Sequence, residues 1–204
     1  MARRWQRRKD ARPPEILDAA LAVFAQKGFA ATRLDDVAAK AGITKGTIYL
    51  YFDSKQALFE ALARQSVGAQ IEQIKAQLAA FPGSTPELLR LVLSTMGHFI
   101  TTSDRVVLPR LVLAEAANFP KLAEFWRREV IDSGIGLMSG IIRRGIERGE
   151  FREIEPQHAA RLCVAPMLII MLWRTTFAQF DETPYDYQGL IEAHLQTLLK
   201  GLAP

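Results

Sequence analysis

Between Thr32 and Lys55 the chain collects hydroxyls and cations whose chemistry suits holding a polyanion rather than breaking a bond. Lys45 and Lys55 can pair with phosphates, and Thr32, Thr44, Tyr49 and Tyr51 can donate hydroxyl hydrogen bonds to phosphate oxygens. Arg33 can reach either a phosphate or a base. Base edges would be read by Thr47, by Lys45 if it bends toward a guanine, and by Leu50 against a thymine methyl. Gly46 stands in the middle of the same outward face. A glycine there weakens a helix by roughly 1 kcal/mol relative to alanine, so a partner's backbone is expected to come close, and DNA is the obvious candidate. Taken alone, the stretch also fits an ordinary surface helix with a fortuitous glycine and two exposed tyrosines. No catalytic set competes with these readings. His98, His158 and His194 fall on three separate predicted helices without metal-ligand spacing and are expected at the surface or packed. Neither a Gly-rich phosphate loop nor a nucleophile elbow occurs, and Glu147 and Glu150 are expected to be solvated near a helix end. Catalytic residues, metal and cofactor are therefore all expected to be none.

The elements that would position these groups are short and well punctuated. Pro14 predicts the opening of a helix that runs to Lys27, with Ile16, Leu17, Ala20, Leu21 and Phe24 on one stripe and Gly28 as its stop. Thr32, with Asp35 three residues on, predicts a capped helix from Arg33 to Ala41, turned inward on Leu34, Val37 and Ala38. Gly42 can take the positive φ that ends it, and Thr44 can cap the next helix, so two helices meet across a tight turn. At about 100° per residue, placing Ile48 inward sends Gly46 and Leu50 outward, with Thr47 and Tyr49 on the flanks. Lys45 and Tyr51 start nearer the base. Asp53 or Ser54 then caps a long helix expected to reach about Ala80.

The run Ala31-Thr32-Arg33-Leu34-Asp35-Asp36-Val37-Ala38, then Gly42-Ile43-Thr44-Lys45-Gly46-Thr47-Ile48-Tyr49-Leu50-Tyr51-Phe52, then Ser54-Lys55 and Leu58, resembles the N-terminal domain of TetR-family transcriptional regulators. The resemblance covers roughly Pro14 to Leu62. It implies an all-α homodimer of about nine helices, three of them N-terminal and DNA-binding, the rest enclosing a ligand and joining the subunits. The division expected is a basic arm over 1–12, a helix-turn-helix domain over 13–57 and a ligand-binding and dimerisation domain over 58–204. The DNA-binding set carried over is Thr32, Arg33, Thr44, Lys45, Gly46, Thr47, Tyr49, Leu50, Tyr51 and Lys55.

Charge divides along the same line. The 204 residues carry a formal +4, yet residues 1–55 hold eleven Lys/Arg against six Asp/Glu, leaving the remainder at −1. A small polyanion-binding module attached to a nearly neutral body has this signature. Arg3, Arg4, Arg7, Arg8, Lys9 and Arg12 form a basic arm, expected to be disordered without a partner; it either lies against DNA or acts only as a solubilising tail. The single cysteine, Cys163, allows no intramolecular disulfide and, with no signal-peptide pattern, predicts a reducing cytoplasm. The longest apolar run, Leu162 to Trp173, is too short to span a bilayer, so no membrane partner is expected.

Beyond Arg64 the pattern predicts helices rather than chemistry. Phe81-Pro82-Gly83 breaks the long helix, Thr85 and Pro86 start the next, and Pro109 should kink or delay the one after it. A helix from Asn118-Phe119-Pro120 to Arg148 carries Gly134, Gly136, Gly140 and Gly145, which suggest close crossing, local unwinding or space for a ligand. Pro156 starts a helix apolar almost all round, and a last one spans about Tyr185 to Leu202. Large apolar groups on helices that the family uses to enclose small molecules make Met96, Phe99, Phe125, Trp126, Met138, Met171, Trp173 and Phe177 the candidate ligand-binding set. Cys163, Met167, Ile170, Arg174, Ile191, His194, Leu195 and Leu198 are the candidate dimer interface, as two helices from each subunit can form a four-helix bundle. Burial inside one subunit is the alternative for both sets.

The function expected is a sequence-specific, homodimeric transcriptional repressor, released from a palindromic double-stranded DNA operator by a small, largely apolar effector. An architectural DNA-binding protein without a ligand and, less favoured, a helical enzyme remain the alternatives.

Overall fold

The computed structural model describes residues 2–204, with side chains left aside over residues 1–12, at Gln70 and over residues 77–80. The described residues form no strand. Eleven α-helical segments follow one another, and π turns at Arg64–Gly68 and Arg127–Ile131 carry the fourth into the fifth and the eighth into the ninth, so nine helices are separate. The all-α architecture is the one expected. The chain divides into two compact units, Met1–Gly68 with Leu111–Phe125, and Ala69–Arg110 with Trp126–Pro204.

In the first unit α1 (Ala2–Ala31) buries Ile16, Leu17, Ala20 and Phe24 of the stripe read from the sequence, and it buries Val23 where Leu21, only half-buried, was expected. Its helical geometry breaks at Gly28, whose φ of 75° no other residue type adopts cheaply. Its start is earlier than Pro14 predicts: helical backbone begins at Ala2 and passes through Pro13 and Pro14. The Arg/Gln/Lys-rich run ahead of the prolines is built of strong helix formers, which favours that outcome over an extended arm. The arm's expected side-chain contacts lie outside the described residues.

α2 (Leu34–Lys40) turns Leu34, Val37 and Ala38 inward. Its cap is Arg33 rather than Thr32, and the Arg33 N–H donates to Asp36 Oδ2 at 3.1 Å, so Asp36 takes the role expected of Asp35. Gly42, at φ 66°, makes the turn to α3 (Lys45–Tyr49). α4 (Lys55–Ala63) is capped by Ser54, which accepts from the Ala57 N–H, and it buries Leu58, Phe59, Leu62 and Ala63. Phe24, Phe29 and Phe59 meet with ring centroids 5.7 Å apart in each pair, and Phe119 closes edge-on over Phe29 at 4.9 Å. Aromatic contacts of this kind add about 0.5–1.5 kcal/mol each beyond the burial itself. They fix the platform from which α3 projects.

The second unit contains α5 (Ala69–Ala80), α6 (Thr85–Thr102), α9 (Asp132–Glu147), α10 (Pro156–Leu172) and α11 (Tyr187–Leu202), while α7 (Val107–Glu115) and α8 (Pro120–Trp126) run between the units in sequence. Pro109 sits in the first turn of α7 and delays its start behind a short 3-10 turn over Asp104–Val106, one of the two outcomes predicted. α6 starts at Thr85 with Pro86 in its first turn, as expected, and Ser84 caps it in a reciprocal pair with Glu87. Of the four glycines in α9, only Gly145 is closely packed, since a Cβ there would collide with the ring of Phe151. Gly134, Gly136 and Gly140 face open space within the chain, so close helix crossing does not account for them.

Candidate nucleic-acid interface

α3 is five residues long and is held at both ends by its own polar groups. Thr44 Oγ1 accepts from the Thr47 N–H at 3.2 Å and lies 2.8 Å from Thr47 Oγ1, which fixes both hydroxyls at the helix start. Ile48 is fully buried beneath, and the opposite side faces solvent: Leu50 is 83% exposed and Tyr49 46%. With that exposure Leu50 does not pack on α2. A Cβ added at Gly46 would meet only Thr44 Oγ1, at 4.0 Å, so nothing inside the chain requires glycine there. The open face therefore agrees with the reading in which Gly46 makes room for a partner.

Two of the expected contacts are spent within the protein. Thr32 is buried, and its hydroxyl donates to the Gly28 carbonyl at 2.6 Å, securing the break at the end of α1. Lys55 donates to the carbonyls of Phe29 and Ala30 at 2.9 and 2.7 Å, with its ammonium 4.9 Å from the centre of the Phe29 ring and 5.3 Å from that of Phe119. Partial burial lowers its pKa from the ordinary lysine value, while the Glu115 carboxylate pulls the other way. Glu115 also accepts from the Ala30 N–H at 3.2 Å. Both residues thus shape the loop between α1 and α2. Side-chain type alone could not have shown this, because the acceptors are backbone carbonyls distant in sequence.

Lys45 remains on the exposed face but has a partner that the pattern did not announce. Its Nζ lies 2.9 Å from Asp35 Oδ2, and this hydrogen bond, with the charge behind it, raises the lysine pKa. Asp36, next in sequence, pairs instead with Lys27 at 2.9 Å. Arg33, Thr44, Thr47, Tyr49, Leu50 and Tyr51 are brought together with Lys45 and Gly46 around one short helix and the start of another.

This geometry coincides with matches to known proteins. Residues 16–62 match the family model described as "Bacterial regulatory proteins, tetR family", and residues 82–184 match "Tetracyclin repressor-like, C-terminal domain". The chain belongs to the TetR family. Among its relatives is the HTH-type transcriptional regulator RutR of Escherichia coli O157:H7, 31% identical over 85% of this chain and 76% of RutR. The fatty acid metabolism regulator protein of Bacillus subtilis is 26% identical over 92% of this chain and 94% of its own length. A solved structure of FadR from Bacillus subtilis in complex with stearoyl-CoA shares the fold at a TM-score of 0.74 and 24% identity, covering 92% of this chain and 98% of FadR. This TetR-family protein is accordingly a DNA-binding, helix-turn-helix regulator of transcription of the ligand-responsive repressor type, and not an enzyme.

The expected ligand-binding and dimer residues of this TetR protein are redistributed by the fold. Met138 and Met171 are buried in the core of the second unit, and Met96 and Phe99 pack against it. Phe125 belongs to the first unit, where the Arg64 guanidinium lies 4.8 Å from its ring centre, and Trp126 is buried. Trp173 and Phe177 are 39% and 48% exposed, their rings 5.4 Å apart, so they are not enclosed within the subunit. For most of the expected dimer set the stated alternative, burial inside one subunit, is what the fold shows. Cys163, Met167, Ile170, Ile191 and Leu195 are buried in the subunit's own core, and Leu198 packs against it. His194 Nε2 lies 2.9 Å from the Cys163 carbonyl, and Arg174 donates to the Ile100 and Ser103 carbonyls at 2.6 and 2.9 Å.

The opposite stripe of α10 and its continuation, Leu162, Ile169, Trp173, Phe177 and Phe180, faces outward. Both stripes repeat at three- and four-residue spacing, so periodicity alone had no means of choosing between them. The helical stretch Pro156–Phe180 is long and apolar enough to cross a membrane by composition, longer than the run Leu162 to Trp173 suggested. One of its faces is committed to the core through Cys163, Met167, Ile170 and Met171. That is the arrangement of a core helix with one exposed apolar face.

Proposed function

We propose that the protein represses transcription as a cytoplasmic homodimer that places one α3 in each of two operator half-sites. The open face of α3 carries this reading: 83% exposure of Leu50 beside an uncrowded Gly46 has no purpose within the subunit. Arg33, Thr44, Tyr49 and Tyr51 hold phosphates, while Lys45, Thr47 and Leu50 meet base edges. The two-fold symmetry of the dimer makes the operator palindromic, with half-sites about 34 to 36 Å apart or at a related spacing. The outward stripe of α10 supports pairing through a second copy, since contiguous apolar surface of this kind marks an interface.

The effector proposed carries an apolar chain. Its support is the methionine-rich core of the second unit and the likeness to FadR, which was solved with stearoyl-CoA. Release requires that the ligand bind the DNA-incompetent form more tightly than the competent one.

Selection of duplexes from a random pool, followed by titration of the enriched operator at several salt concentrations, tests the DNA reading. For six to ten phosphates neutralised, affinity falls by about 10³ to 10⁵ between 50 and 200 mM salt. A flat salt response would overturn it. Native mass spectrometry of the purified protein gives the subunit number and any retained ligand, and addition of stearoyl-CoA to the operator complex tests release.

A further inference from the structure

The Asp35–Lys45 pair is the feature of the reading face that phosphate binding does not use. An acid in the first turn of a helix ordinarily complements the helix dipole. In α2 Asp36 already does so, bonded to the Arg33 N–H and to Lys27. Asp35 is instead half exposed, and its carboxylate holds the ammonium at the first residue of α3. A carboxylate beside a phosphate-binding lysine weakens that contact, because it repels the same phosphate. The pair makes better sense against a base.

We propose that Asp35 and Lys45 together read one G·C pair in each half-site, the lysine donating to guanine and the aspartate accepting from cytosine. The proposal rests on the DNA-binding reading given above and names Asp35 as a specificity-determining residue within it. In the major groove a G·C pair presents acceptors at guanine O6 and N7 and a donor at cytosine N4. O6 and N4 are hydrogen-bonded to each other within the pair, so they lie about 2.9 Å apart. Lys45 Nζ and Asp35 Oδ2 are 2.9 Å apart. Donor beside acceptor on the protein thus meets acceptor beside donor on the base pair at the same spacing, and the bonds can close into one ring in which both nitrogens donate and both oxygens accept.

An A·T pair offers thymine O4 and adenine N6 in a similar relation, but with two penalties. The thymine methyl crowds the ammonium, and adenine N7 repels the carboxylate. Guanine, in contrast, gives the ammonium a second acceptor, and cytosine places only a C–H beside N4. The pair is therefore selective for G·C in one orientation.

Selection from a random duplex pool with the wild type, Asp35→Ala and Lys45→Ala tests this, with melting curves to show that each variant is folded. The wild-type motif should contain a G·C pair in each half-site, preferred on the order of 10-fold or more over other pairs. Both variants should lose preference at that same position and keep the rest of the motif. Exchanging the charges, with Asp35→Lys and Lys45→Asp in one chain, should restore a preference for the reversed pair. Loss at different positions, loss at an A·T position, or a uniform change in affinity with an unaltered motif would overturn the proposal. Failure of the wild type to enrich any sequence is a distinct result that overturns the DNA reading itself, and the proposal with it.

Discussion

Lys55 is joined to Phe29 twice, by a hydrogen bond from its ammonium to the Phe29 carbonyl at 2.9 Å and by that ammonium lying 4.9 Å from the centre of the Phe29 ring. A residue expected to hold DNA holds, in the free protein, the loop on which the reading helices rest. Lys55→Met keeps the stem and removes the donor, so it should lower stability to denaturant by on the order of 1 kcal/mol, the bonds being partly exposed. Arg33→Ala should leave the denaturation midpoint unchanged and weaken DNA binding. If Lys55→Met weakened DNA binding at full stability, the phosphate role would return to it.

Gly46→Ala should separate folding from function. Alanine favours the helix by up to about 1 kcal/mol, and the added Cβ meets nothing closer than Thr44 Oγ1 at 4.0 Å. The thermal midpoint should rise or hold while operator affinity falls. Unchanged affinity would leave the glycine without the close approach assigned to it.

On α10, Ile169→Asp should yield a soluble monomer by light scattering, because Ile169 is 59% exposed in the subunit and sits on the outward stripe. Met167→Asp, on the inward stripe at 1% exposure, should unfold the second unit instead. Dimers that survive Ile169→Asp would place the interface elsewhere.

The carboxyl of Asp36 is held below its usual value of 3.8 by the hydrogen bond from Lys27 and by that from the Arg33 N–H. The folded-state pKa lies under the unfolded one, so the stabilisation is complete above the unfolded value and disappears as pH falls through the folded one. Asp36→Asn should therefore lower the urea midpoint at pH 7 and flatten its decline below about pH 4. A parallel decline in wild type and variant would remove Asp36 from the acid response.

Burial pushes the Cys163 thiol up to about 12, which keeps the thiolate, the reactive species, scarce at ordinary pH. The native protein at pH 8 should resist iodoacetamide and react only after denaturation. Rapid native labelling would mean that this part of α10 opens readily.

How far the sequence could be read depended on whether one local rule had one outcome. Gly28, Gly42 and Ile48 each had a single sensible place, and the turn between α2 and α3 follows from them. Thr32 and Lys55 are ambiguous in sequence because a hydroxyl or an ammonium has the same appearance whether its acceptor is a phosphate or a carbonyl. On α10 two apolar stripes competed, and only the packing of α6, α9 and α11 onto one of them decides which remains for a partner. Asp35 drew no attention as a functional residue because its partner lies ten residues on, across a turn.

The first unit draws its last pieces, Leu111–Phe125, from far along the chain. During synthesis, residues up to Gly68 leave the ribosome with Phe29 uncovered, since the Phe119 ring that packs on it has not yet been made. Glu115, the acceptor for the Ala30 N–H, is absent at that stage too. Nascent chains therefore cannot complete the reading platform until the middle of the molecule has emerged. The same dependence makes residues 1–68 a poor choice for an excised DNA-binding fragment.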